Sequence, residues 1–518
     1  MASNLPKRVL QLIVIVAALA GGSAAQVVSV TTWHNDNGRT GANPNETILN
    51  TSNVNPSSFG KLYSLPVDAQ IYAQPLYVPS VAIPGNGVHN VLYVATENNS
   101  VYAFDADSSS PQALWHVNLG VPVPSGANIA PYIGILSTPV IDVSRNAIYL
   151  VAETYINSNA QFYLHSLDIT TGKDRVGSPA LISGQVPGVG AGSSNGTVAF
   201  VPFQNLQRTA LLDLNGKIYV GFGSHADTWP YHGWLFGFDG VSLRRLMVTC
   251  FSPNGYGAAL WQGGAGLAAD STGNIYFATG NGDFNPAVGD YGDSVLKLNA
   301  PAGLVMTSTF TPHNQLQFES ADLDLGSGGV LVMPGSPLLT APMVLAGGKD
   351  GQIYLLNSAN LGGYNPSDAV VQEWNSVSQR FGGNVFYNNM LYVWCVGDAL
   401  RMFSFDGNAF TPIPPPQGAF QPYVSYSNSP AMALSANGLN PGTAILWAAH
   451  SQNGSDDGAD HPGMLHAYDA VSGQELWNSL QNSADYPGAW AQWSPPTVAN
   501  GKLFMATFDS GVAVYGLK

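Results

Sequence analysis

At 518 residues the chain has room for two domains of average size or one large all-β domain. With 45% apolar and only 9% charged residues it is too apolar for disorder, and its 58 Gly and 35 Pro suit many short strands joined by tight turns. The balance is acidic, 17 Lys+Arg against 32 Asp+Glu, which argues against nucleic acid and anionic lipid as partners and fits neutral or cationic ligands, or Ca²⁺.

The first 25 residues read as a secretory signal. Lys7 and Arg8 precede an apolar stretch over residues 9–20 that is too short to span a bilayer, and Ser23, Ala24 and Ala25 offer a cleavage site before Gln26. Cleavage leaves 15 basic against 32 acidic side chains, a net charge near −17. No other run is long and apolar enough to span. The expectation is a soluble, secreted or periplasmic monomer of one domain over residues 26–518. Two cysteines, Cys250 and Cys395, give no disulfide framework, no CxxC and no haem attachment site, so both are expected to be buried thiols.

From residue 90 onward the chain repeats one phrase. NVLYVATENNSVYAFDAD (90–107) is an apolar strand with an aromatic, a polar turn, and a second apolar strand closing on an acidic turn. It returns in AIYLVAE with FYLHSLDITTG, KIYVGFG with GWLFGFDG, NIYFATG with DSVLKLN and MVLAGG with QIYLLN. It returns again in MLYVWCVG with MFSFDG, AILWAAH with MLHAYDAVSGQELW, and KLFMATF with VAVYGLK. A proline-bearing strand precedes many copies (QPLYVPSV, STPVIDV, GSPLLT, SNSPAMAL, SPPTVA), and a fourth follows some, such as ALWHVNL and ELWNSL. Four short strands per copy make a propeller blade, which buries both faces only between two neighbours. The reading is an all-β, eight-bladed β-propeller of four-stranded antiparallel blades. The last copy lacks a fourth strand, and FGKLYSLPV (59–67) is shaped like one, so it is expected to complete the last blade and close the ring.

The phrase, above all MLHAYDAVSGQELW (464–477), resembles the quinoprotein alcohol dehydrogenase-like superfamily of PQQ-like repeats, as does the opening HNDNGRTGANPNETILNTSNVNPSSFGKL (34–62). The resemblance implies pyrroloquinoline quinone and Ca²⁺ near the axis. TGNGD would put Asn281 at the metal, SADLDLGSGG would put Asp322 or Asp324 at the catalytic base, and GGKDGQIYLLN would put Lys349 at the quinone. Asp227, in SHADTWPYHGWLFGFD, lies one position from the family's metal-binding Glu. The adjacent cysteine pair of alcohol-oxidising members is missing, and so is the tryptophan that floors the quinone, expected near Gly266. A flat three-ring quinone draws much of its binding from such stacking.

Read without the family, Asp227, Asn281, Asp283, Asp322 and Asp324 are oxygen ligands on loops, suited to Ca²⁺ if loops converge at one mouth and otherwise to capping their own turns. His225, Asp227 and His232 form an H-x-D-x4-H cluster, either a transition-metal set or the polar tip of a hairpin. His232 with Lys349 is also suited to an anionic group. The acidic HSQNGSDDGADHPG (450–463) reads as a long solvated loop, with Ca²⁺ binding as the alternative. Trp229, Tyr231, Tyr486, Trp490 and Trp493 lie in loop-like stretches, where aromatic faces stack on sugars or pack between blades. His165 and His466 share one repeat position, which points to a structural role. Three functions follow. One is a binding scaffold whose central mouth takes a small molecule, glycan or protein. The second is a quinone- and Ca²⁺-dependent alcohol or sugar dehydrogenase with Asp322 or Asp324 as base. The third is a polysaccharide lyase or hydrolase using paired His and Asp.

Overall fold

The computed structural model describes residues 28–125, 129–335, 338, 342–375, 383–414, 429–453 and 461–518. The expected leader lies outside them. Among the described residues eight sheets, each with an antiparallel core of four strands and three of them carrying a fifth, follow one another along the chain as the blades of an eight-bladed β-propeller. No helix among the described residues is long and apolar enough to cross a membrane.

The repeated phrase forms the second and third strands of each blade. In blade one these are Gly87–Ala95 and Ser100–Asp105, with Tyr93 opposite Ala103. Second strands are buried almost throughout, as in Lys217–Ser224, because neighbouring blades cover both faces. The aromatic of the phrase joins one blade to the next. Tyr93 OH donates to Ile169 O (3.0 Å), Tyr149 OH to Gly240 O (2.6 Å) and Tyr392 OH to Ala470 O (2.6 Å). In each case the acceptor sits just after the next blade's third strand. Each bond is worth about 1 kcal/mol net, on top of the ring's burial.

The last blade is built from both ends of the described chain. Phe59–Pro66 pairs antiparallel with Gly511–Leu517, from Phe59 opposite Leu517 to Pro66 opposite Gly511. Four of the five proline-bearing segments supply first strands or lead into them. The fifth, GSPLLT, lies mostly outside the described residues. Blade five begins at Val330–Val332, an unbroken apolar triplet buried throughout that pairs with Met343–Gly347.

The first strands, innermost in each blade, surround the opening segment of the chain. Hydrogen bonds from residues 30–43 reach all eight in turn. Val30 exchanges two bonds with Tyr77 of blade one (2.8 Å each), and Thr31 O accepts from Ile141 N of blade two (2.8 Å). The Asn37 amide donates to Asp213 O of blade three (2.9 Å), while Asn37 O accepts from Ala269 N of blade four (2.6 Å). Gly38 O, Thr40 O and Gly41 O accept from Val332, Phe386 and Leu434 of blades five, six and seven (2.8 Å each). The Asn43 amide donates to Val498 O of blade eight (2.8 Å). Inner strands otherwise present unpaired edges to the axis, and this segment satisfies part of them. Arg39, 1% exposed, anchors it through Leu267 O (2.9 Å), Leu211 O (3.2 Å), Trp33 O (3.0 Å) and Thr32 Oγ1 (2.7 Å).

Candidate functional site

Loops of blades three, four and five meet at one end of the ring. After Val305–Thr311, the last strand of blade four, a short helix, Gln315–Ala321, ends at Asp322, whose left-handed backbone (φ 55°) is one that Asp tolerates. Two residues on, Asp324 turns inward. Its carboxylate accepts from the Asn281 amide N–H (2.9 Å) and pairs with Lys349 Nζ (2.6 Å). Lys349 also reaches Asp322 (3.0 Å), and the Asn281 side chain donates to Asp322 Oδ1 (2.8 Å). Gly280 leaves room for this, since a Cβ there would run into Asp324 Oδ1. Burial raises the Asp324 carboxyl, against the pull of Lys349; burial works against the Lys349 ammonium, but the two carboxylates outweigh it and hold its pKa up.

Beside this cluster lies an aromatic shelf. Trp229 is 61% exposed and packs against Tyr256, ring centroids 5.0 Å apart. Tyr256 OH donates to Glu319 on the short helix. That hydrogen bond, then burial, then the charges of Glu319, Asp283 and Asp293 push its phenol up. The Tyr231 phenol is raised by burial and by the Asp227, Asp324 and Glu319 carboxylates, so these groups share one electrostatic neighbourhood. Two buried acceptors, Asn281 Oδ1 and Glu319 Oε2, have no donor.

The structure therefore brings Asn281, Asp322, Asp324 and Lys349 into direct contact. Asp227 sits at the shelf and accepts from Ser224 Oγ (2.8 Å). His232 is spent elsewhere. It is buried, with Nδ1 against Ser252 O (3.0 Å) and Oγ (2.9 Å) and Nε2 against Ala191 O (2.8 Å), so it braces two loops. No group of three or more His, Cys, Asp or Glu among the described residues is arranged to hold a metal ion. Trp490 is buried; Tyr486 is exposed. His165 pairs with Asp174 (3.0 Å) and His466 with Glu475 (2.5 Å), each reaching the segment after its own strand, as a structural repeat position should. Both cysteines are buried thiols outside any disulfide. Residues 454–460 of the acidic loop lie outside the described set.

Sequence reasoning passed over Tyr256, Glu319 and two arginines. Arg208 is 2% exposed, donates to Leu136 O (2.8 Å) and Gln492 O (3.2 Å), and lies 5.2 and 5.1 Å from the Tyr72 and Trp493 rings. It thus ties blade three to blades one, two and eight. The available signal was a cation inside the apolar stretch leading to Leu212–Leu214.

A quinone would need a flat face near Gly264 and Gly266. A Cβ on Gly266 would lie 2.6 Å from the Arg39 guanidinium carbon, and one on Gly264 would lie 3.2 Å from Trp493 Cβ and 3.3 Å from Arg208. Two cavities beside them, lined in part by Trp33, Arg39 and Trp493, measure about 10 Å³ each, the size for one water. The chain's own side chains fill the place of the floor. Lys349 already neutralises the carboxylates that would meet a cation. The described residues do not fit a quinone–Ca²⁺ pair.

No protein-family model and no curated protein matches the sequence. The fold is similar to that of solved quinoprotein dehydrogenases. A quinohemoprotein alcohol dehydrogenase from Comamonas testosteroni superposes with a TM-score of 0.62 at 13% identity, covering 94% of this chain and 80% of that one. Another, from Pseudomonas putida HK5, gives 0.60 at 12% identity over 94% and 80%. A europium-containing methanol dehydrogenase gives 0.52 at 14% identity over 94% and 83%. The chain shares the propeller scaffold of these enzymes.

Proposed function

We propose that this protein is an extracytoplasmic binding propeller that takes a glycan at the mouth over blades three to five. The observation that carries the reading is the exposed Trp229 face, backed by Tyr256 and bordered by the Asn281–Asp322–Lys349 hydrogen-bonding cluster. A sugar ring presents an apolar face to an aromatic and hydroxyls to polar groups at its edge, and this shelf offers both. A glycan array with the mature protein tests it. Trp229→Ala is expected to abolish binding to the ligands found, and retention of binding would move the site elsewhere.

The scaffold shared with alcohol dehydrogenases favours a second reading, oxidation of an alcohol with quinone and Ca²⁺. The filled floor position weighs against it. Mixing the protein with pyrroloquinoline quinone and Ca²⁺ separates the two. No bound chromophore and no dye reduction with alcohols is the expected result, and either one appearing would reverse the order of the readings.

A further inference from the structure

The aromatic pair of the shelf has a counterpart nearer the rim. Asp283 N donates to Tyr256 O (3.1 Å), and the next residue, Phe284, packs against Tyr364 with ring centroids 5.1 Å apart and planes at 55°. Trp229 and Tyr256 meet in the same way, at 5.0 Å and 59°. In each pair one ring faces solvent, Trp229 at 61% and Tyr364 at 52%, and a half-buried ring backs it. The two outer rings stand on loops of blades three and five, far apart along the chain.

The short helix Gln315–Ala321 sets the spacing of the pairs. Tyr364 is held beside its start: it pairs in parallel with Thr311, and its hydroxyl donates to His313 O (3.4 Å). Gln315 Nε2 donates to Gly282 O (3.1 Å), two residues before Phe284. Tyr256 OH donates to Glu319 near the helix end, and Asp322 follows at the Asn281–Lys349 cluster. From His313 to Glu319 is roughly 9 Å at the helical rise of about 1.5 Å per residue, so the two phenols are anchored well over one sugar ring apart. Leu316, on the same helix, is exposed as well.

A single sugar covers one of these rings. A chain of linked sugars covers both, and the second contact is intramolecular once the first is made. A row that follows a straight helix suits a chain that is itself extended. Asp283 is exposed between the pairs and the whole molecule is acidic, so an anionic chain would be repelled on approach.

We infer that the mouth binds a neutral, extended polysaccharide chain of the β-1,4-linked pyranose class, laid along Gln315–Ala321 with one sugar on Trp229 and a later one on Tyr364. This rests on the glycan reading and adds chain length and shape to it.

Calorimetric titration of the full mature chain with the di- and hexasaccharides of the cello and N-acetylated chito series, and with maltohexaose as a coiled α-linked counterpart, tests the inference. In at least one β-1,4-linked series the hexamer is expected to bind about twentyfold tighter than the dimer or better, of which about tenfold comes from the second aromatic. Maltohexaose is expected to show no such gain. Tyr364 is exposed, so Tyr364→Ala leaves the core intact. That variant is expected to cut the gap below about fivefold, the statistical gain of a longer chain, and to leave the dimer within about twofold. Tyr364→Phe, which keeps the ring, is expected to keep the gap. Equal binding of dimer and hexamer, or a gap that Tyr364→Ala leaves unchanged, would overturn the second platform while the glycan reading stands. Maltohexaose binding as tightly as the β-1,4-linked hexamers would overturn the extended-chain selection in the same way. No binding of any of these oligomers would overturn the inference, and a blank glycan array alongside would take the glycan reading with it.

Discussion

Replacing Arg39 by methionine keeps most of the apolar stem and deletes the guanidinium that pins the opening segment to the axis. Three main-chain carbonyls, Leu267 O, Leu211 O and Trp33 O, lose a charged donor at 2.9–3.2 Å. Bonds to charged groups contribute about 1.5–3 kcal/mol each. Burial already opposes the charge, lowering the Arg39 pKa to about 10 against the pull of Asp36, so the lower end applies. Two to three bonds at that end give an expected loss of about 3–5 kcal/mol. Arg39→Lys keeps the charge but not the fork, and should lose part of this. Equilibrium urea unfolding followed by tryptophan fluorescence measures both. A loss below about 1 kcal/mol for the methionine variant would refute the claim that this segment is a structural axis.

Acid sensitivity should trace to buried histidines. Burial lowers His34 and His450 from 6.5 to about 3, with the neighbouring His466 adding to the effect at His450. Above pH 6.5 neither state carries the proton; below it only the unfolded chain does. Stability should therefore fall from pH 6.5 towards 3 by about 1.4 kcal/mol per pH unit per histidine, and His450→Gln should remove one share of that slope in urea titrations across pH. Glu97 works in the opposite sense. It is buried with both carboxylate oxygens unpartnered, and burial raises it from 4.5 to about 8. Its stabilising neutral form is lost as pH rises from 4.5 through 8, so Glu97→Gln should gain stability progressively over that window, and no gain at pH 8 would count against the placement. Gly280→Ala should push Asp324 off the Asn281 amide, and calorimetry should then show oligosaccharide affinity reduced more than tenfold.

Much of the fold was legible because its forces are local and repeated. An aromatic-bearing strand, a polar turn and a second strand closing on a polar turn say hairpin wherever they stand, and eight copies need neighbours on both sides to bury their faces. The unpaired FGKLYSLP segment told of its place beside Gly511–Leu517 by the missing fourth strand of the last copy. The first strand of blade five, Val330–Val332, carries no proline and so lacked the mark by which other first strands were read.

The site was legible only in part. Asn281, Asp322, Asp324 and Lys349 stand in motifs with quotable neighbours, and they do meet. His232 carried the same kind of chemistry in sequence, yet its ring is consumed by Ser252 and Ala191, contacts that depend on two loops far from it along the chain. Arg39 and Arg208 show the same limit from the other side. Nothing beside them in sequence reveals that one guanidinium gathers carbonyls of blades three and four and the other those of blades two and eight. Local chemistry determines strands, turns and the number of blades by itself; what fills the axis depends on which distant backbone groups need a donor once the ring has formed, and that is decided only in three dimensions.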